Sequence, residues 1–102
     1  MTYHGIEVPR AKIAEFCWHH HIRKLSLFGS ILREDFRPES DVDVLVEFQT
    51  GQVPGFLVLF DLEEELSAML GGRKVDLVTP KFLNVRIRQS VLSTAQVQYA
   101  QG

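Results

Sequence analysis

The sequence predicts a small α/β or α+β fold, a mixed β-sheet with helices packed on it. Three observations carry that expectation. Segments with apolar residues at helical spacing alternate with short β-branched runs, and Gly and Pro punctuate the joins. A length of 102 residues suffices for one core and no more, so residues 1–102 read as a single domain.

The elements follow in order. Pro9 suits a first helical turn, and Ile13, Phe16, Cys17 and His20 recur at helical spacing. Arg23 and Lys24 come where a helix end favours cations, giving a helix over about Pro9 to His21. Leu25 to Phe28 reads as a short strand broken by Gly29-Ser30, and Ser30 is available to cap a brief helix from Ile31 to Asp35. Phe36 to Ser40, with Pro38, reads as a loop. Asp41 to Phe48 is the clearest strand, with Val42, Val44, Val46 and Phe48 on one face. After the Thr50 to Gly55 loop, Phe56 to Leu70 forms a second helix with Leu59, Phe60, Leu66, Met69 and Leu70 on its apolar side, stopped by Gly71-Gly72. Lys74 to Thr79 is a further strand ended by Pro80, and Asn84 to Ser93 a last helix. Ala95 to Ala100 fits either a strand or a frayed helix.

Composition narrows the function. A formal net charge of −2 argues against broad electrostatic binding of nucleic acid. The single cysteine, Cys17, cannot form an intramolecular disulfide and reads as core filling. Met1 to Arg10 lacks the apolar run of a signal peptide, and no stretch has the length of a membrane span. A cytoplasmic protein without membrane attachment is expected.

The chemistry concentrates at a few positions. Asp41 and Asp43 are two apart on a strand, so both side chains leave one face. Adjacent carboxylates repel and resist desolvation unless a cation sits between them; hard oxygen ligands favour Mg²⁺. The solvent face of an edge strand would also carry Asp-x-Asp, so the pair alone does not decide. Gly29 permits close backbone approach, a following helix N-terminus offers N–H groups to phosphate, and Ser30 can donate its hydroxyl. A plain turn would carry Gly-Ser as well. Asp76 lies within an apolar strand, where it could bind the metal, accept a proton, or simply pair with Arg73 or Lys74.

The run Leu27-Phe28-Gly29-Ser30, Arg33, Asp35, Ser40-Asp41-Val42-Asp43 and Leu45-Val46 resembles the polymerase β-like nucleotidyltransferase superfamily. The signature there is Gly-Ser, about ten residues, then Asp-x-Asp, and ten residues separate Ser30 from Asp41 here. With Lys74-Val75-Asp76-Leu77-Val78 the match, from about Ile22 onward, is similar to the minimal nucleotidyltransferase (MNT, MntA-like) group. The resemblance implies that Asp41 and Asp43 hold Mg²⁺ and the triphosphate, with Asp76 as third ligand or base. It implies that Gly29 and Ser30 cradle the β- and γ-phosphates, and it places Arg33 and Ser40 in the nucleotide-binding set. For Arg33 a surface ion pair with Glu34, Asp35 or Glu39 remains an equal alternative.

So small a domain offers little grip on an acceptor. The resemblance implies an antitoxin that uses ATP to adenylylate a tyrosine on a HEPN-domain ribonuclease toxin, the toxin being both partner and substrate in a hetero-oligomer. Two rivals stand beside it. One is a nucleotidyltransferase for a small, aminoglycoside-like molecule with a separate binding subunit; the other is a non-catalytic antitoxin acting by complex formation. Other features carry less. His19, His20 and His21 point about 100° apart on a helix and cannot converge on one ion. Trp18 and Phe16 read as core or interface aromatics, Glu63-Glu64-Glu65 as a solvated helix face, and Lys81, Arg86 and Arg88 as a modest basic cluster on a solvated face.

Overall fold

The computed structural model describes residues 2–37 and 39–101; Pro38 of the expected loop lies outside them. Two strands form a hairpin at the start, β1 (Thr2–Tyr3) and β2 (Ile6–Glu7), paired antiparallel. Its turn, His4-Gly5, has positive φ at both positions, as a tight two-residue hairpin requires. Strands this short leave no alternation to read, and the sequence reading has no strand there.

Helix α1 (Arg10–His19) buries Ile13, Phe16 and Cys17. It stops before the expected His21, which adopts φ 58° and turns the chain into β3 (Ile22–Phe28). Arg23 and Lys24 are therefore strand residues, not helix-end cations, and Arg23 pairs with Glu47 across the sheet at 2.9 Å. A 3₁₀ turn over Gly29–Leu32 replaces the helix expected over Ile31 to Asp35, and no side chain caps it. Strand β4 (Val42–Phe48) is followed by α2 (Phe56–Met69), β5 (Val75–Val78), a 3₁₀ turn at Pro80–Phe82, α3 (Val85–Thr94) and β6 (Gln96–Ala100). The ambiguous tail is thus a strand.

The sheet runs β5-β4-β3-β6. Strand β4 is antiparallel to β3 and parallel to β5, and β3 is antiparallel to β6, so the fold is a mixed α/β sheet. One face meets α1 and α2: Leu25, Leu27, Val42, Val44, Val46, Val75 and Leu77 share a cluster with Ile13, Phe16, Leu62 and Leu66. Complete burial of each such aliphatic chain stabilises the fold by roughly 1.5–3 kcal/mol. The opposite face carries only a small cluster of Phe28, Leu45 and Leu83, with Val91 and Ala95 of the α3 segment packed against it. Helix α3 has no buried residue of its own; this face is closed over Ser26 and Leu45 but stays open towards Asp43.

Two sequence expectations change on α2. Phe60 is 60% exposed instead of facing the core, and Leu62, with Leu66, supplies the buried contact. Glu63 is no free solvated acid: its carboxylate accepts the backbone N–H of Leu77 at 2.8 Å, covering part of the edge of β5. Trp18 is exposed and not in the core. No helix among the described residues is long and apolar enough to cross a membrane.

Candidate active site

Alternation along β4 sends Val42, Val44 and Val46 to the core and Asp43 to the open face. In the parallel pairing of β4 with β5, Asp43 stands in register with Asp76. Across β3 it stands in register with Phe28, the residue before Gly29. Asp41 comes one residue before β4 and remains part-exposed, with Lys74 Nζ 4.0 Å from its Oδ2. The three carboxylates thus gather where β3 ends and β4 and β5 begin, although Asp76 is far from the other two in sequence.

Their charges act on one another. Burial raises the Asp43 pKa first, then the Asp76 carboxylate, and Asp41 adds to the rise. The backbone N–H of Ser30 and the charge of Arg33 oppose it. The Gly29 turn leans directly on this side chain: with φ at +74°, a Cβ on Gly29 would stand 2.3 Å from Asp43 Oδ2. Only a glycine lets the turn and the carboxylate approach so closely.

The remaining expected residues are placed as follows. Ser30 is part-buried, and its Oγ lies 3.5 Å from the Asp41 carbonyl, too long for a strong hydrogen bond. Its hydroxyl is therefore available. Arg33 pairs with Asp35 at 3.2 Å on the surface, as one of the two readings expected. Ser40 turns back into its own loop, where Oγ accepts the Arg37 N–H at 3.1 Å. Lys74 faces Asp41, so of the alternative ion pairs for Asp76 the one with Lys74 goes to a different aspartate. His20 meets Glu65 at 3.1 Å, and His19 lies 3.7 Å from Glu15.

An open cleft of about 1260 Å³ lies beside the carboxylates. Gly29, Ser30 and Asp43 line one wall, and Ile87, Ser90 and Val91 of α3 line the other. A smaller groove of about 370 Å³, between Phe48, Phe56 and Phe82 at the other end of β4, contains none of the aspartates. The α3 wall has no motif in the sequence, but Ile87, Ser90, Val91 and Thr94 share one helical face, and that spacing is its only signal.

Among the described residues, no three acidic, His or Cys side chains form a ready metal cage. A hard cation such as Mg²⁺ takes one or two carboxylates from protein and completes its shell with water and phosphate. The mutual charge of Asp41, Asp43 and Asp76 is the feature a divalent ion would relieve.

The open sheet face, its clustered aspartates and the adjoining Gly-Ser turn define a nucleotidyltransferase domain. Residues 11–101 match the family model for polymerase beta nucleotidyltransferase domains. The chain belongs to the polymerase beta nucleotidyltransferase family, within its MntA-like minimal group. It is 42% identical over 71 residues to protein adenylyltransferase MntA of Thermococcus cleftensis, covering 70% of this chain and 69% of that one. A provisionally named protein adenylyltransferase of Methanocaldococcus jannaschii is 33% identical over 91 residues, covering 89% of this chain and 95% of that protein. Among solved structures, a minimal nucleotidyltransferase superposes with a TM-score of 0.68 at 35% identity, covering 84% of this chain and 85% of the other. A toxin–antitoxin crystal structure with AMP-PNP shares the fold, with a TM-score of 0.71 at 20% identity over 91% of this chain and 74% of that one.

Proposed function

We propose that this chain is a protein adenylyltransferase that moves AMP from ATP to a tyrosine of a HEPN-domain toxin and so serves as its antitoxin. The observation that carries the reading is the register of Asp43 with Asp76 on the open sheet face, against the Gly29-Ser30 turn. The protein adenylyltransferase names of its relatives support AMP as the transferred group. The toxin–antitoxin structure with AMP-PNP supports a triphosphate donor and a toxin partner.

In this reading residues 1–102 act as one catalytic domain, and the toxin supplies the grip on the acceptor. Asp41 and Asp43 would hold Mg²⁺, which when bound would neutralise charge on the α-phosphate and the leaving pyrophosphate. The Gly29-Ser30 backbone and the Ser30 hydroxyl hold the β- and γ-phosphates, and Arg33, on the cleft wall, adds positive charge. The acceptor hydroxyl oxygen bonds to the α-phosphorus while the bond from that phosphorus to the bridging oxygen of pyrophosphate breaks. The hydroxyl proton passes to Asp76.

The test is to incubate the chain with ATP, Mg²⁺ and a HEPN-domain protein encoded beside it, then locate added AMP by mass spectrometry. AMP on a tyrosine, absent with Asp41→Ala and Asp43→Ala, is expected. A chain that silences the toxin without adding AMP would sink the reading in favour of complex formation.

A further inference from the structure

Phe36 belongs to the loop that leads from the Gly29–Leu32 turn to Asp41, and no sequence motif singles it out. Two groups from distant parts of the chain meet its ring. The His4 imidazole stacks on it, with centroids 4.9 Å apart and planes at 28°, and the Arg73 guanidinium carbon lies 5.2 Å from its centroid. Phe36 also packs on the main core cluster. A half-buried aromatic held by a stacked ring and a cation has little freedom to swing, and each such contact contributes to that restraint.

Each holder is itself anchored. Tyr3, beside His4, accepts a hydrogen bond from Gln98 Nε2 of β6 at 3.2 Å, which ties the N-terminal hairpin to the sheet. Arg73 follows the end of α2, where Ser67 Oγ donates to the Arg73 carbonyl and the Ser67 carbonyl accepts the Gly72 N–H at 2.8 Å. Arg73 reaches the loop a second time, donating from Nη1 to the Arg37 carbonyl at 3.2 Å. The next residue, Lys74, takes the Val42 N–H on its carbonyl at 2.8 Å and places its ammonium 4.0 Å from Asp41. One dipeptide, Arg73-Lys74, therefore fixes both sides of Asp41: the loop before it and the strand after it.

We propose that Phe36 and Arg73 are positioning residues for Asp41, holding its loop against α2 and the N-terminal hairpin so that the carboxylate meets the metal–nucleotide complex. The proposal rests on the reading that Asp41 holds that complex. A carboxylate on an unrestrained loop would have to be ordered each time the metal–nucleotide complex binds, and the cost of that ordering would appear as weaker metal affinity.

The test titrates Mg²⁺ in the presence of α,β-methylene ATP, whose α–β bridge cannot be cleaved by transfer, and reads nucleotide binding. Phe36→Leu keeps the apolar volume and loses the ring; Phe36→Tyr keeps the ring; Arg73→Ala removes the cation. Phe36→Leu and Arg73→Ala should raise the half-saturating Mg²⁺ concentration by about tenfold, with thermal unfolding still above the assay temperature. Phe36→Tyr should restore it towards wild type. Half-saturation unchanged in both Phe36→Leu and Arg73→Ala overturns the proposal, as does a fall in melting temperature alone. Wild-type protein that binds the metal–nucleotide yet transfers no AMP counts against the proposed function and leaves the positioning role standing on the binding data.

Discussion

A Cβ placed on Gly29 would lie 2.3 Å from Asp43 Oδ2, so the turn after β3 and the carboxylate on β4 are built as one unit. Backbone and side chain meet here because β3 and β4 pair with Phe28 opposite Asp43. The Ser30 N–H uses the same proximity to reach that carboxylate.

Gly29→Ala should therefore act twice. The left-handed backbone costs an alanine about 1–3 kcal/mol, and the new methyl must displace Asp43. Gly51, with φ +78° and open space around it, is the matched control. Urea unfolding should show a loss of stability in both variants, whereas AMP transfer should fall only in Gly29→Ala.

Asp43→Asn should separate stability from activity. The folded chain raises the Asp43 pKa, so it binds this proton more tightly than the unfolded chain. The unfolding free energy then drops as pH rises from the ordinary aspartate range through the raised value. Metal-free Asp43→Asn should consequently melt higher than wild type at neutral pH, with the two converging in acid. Its AMP transfer should fall by about a hundredfold or more. A variant less stable than wild type at neutral pH would contradict the electrostatic account.

The two faces of α2 should respond differently to truncation. Leu62 is 2% exposed and Phe60 60% exposed. Leu62→Ala should cost about 2–5 kcal/mol, against less than about 0.5 kcal/mol for Phe60→Ala, both read by denaturant unfolding.

Cys17 is fully buried, and desolvation pushes its thiol up to about 12. Iodoacetamide should leave it unmodified in the native chain and label it rapidly in denaturant, because the thiolate is the reactive form. Labelling of native protein at the rate of a free thiol would place Cys17 outside the core.

Much of this fold and site could be read from residues alone. Val42, Val44 and Val46 alternate with Asp43 so regularly that β4 and its buried face follow from period two. The start of strand β3 is less legible: Arg23 and Lys24 resemble a helix end until His21, at φ 58°, turns the chain. Phe60 is exposed for a related reason that the sequence does not carry, since an apolar residue on an amphipathic helix reads as core whether or not a sheet lies beneath it. At the site, the spacing of Gly29, Ser30, Asp41 and Asp43 is local and visible. The pairing of Asp43 with Asp76 depends on a crossover through α2, and the hold of Arg73 and His4 on Phe36 depends on tertiary packing. No periodicity encodes either contact.

The central claim is that this chain transfers AMP through Asp41, Asp43 and Asp76. Its most direct test compares ATP labelled at the α-phosphate with ATP labelled at the γ-phosphate, each incubated with the chain, Mg²⁺ and the proposed HEPN-domain partner. The account predicts that α-label becomes covalently bound to the partner, that γ-label does not, and that Asp41→Asn and Asp43→Asn each abolish the transfer. Attachment of γ-label, or α-label transfer that survives both substitutions, would contradict it.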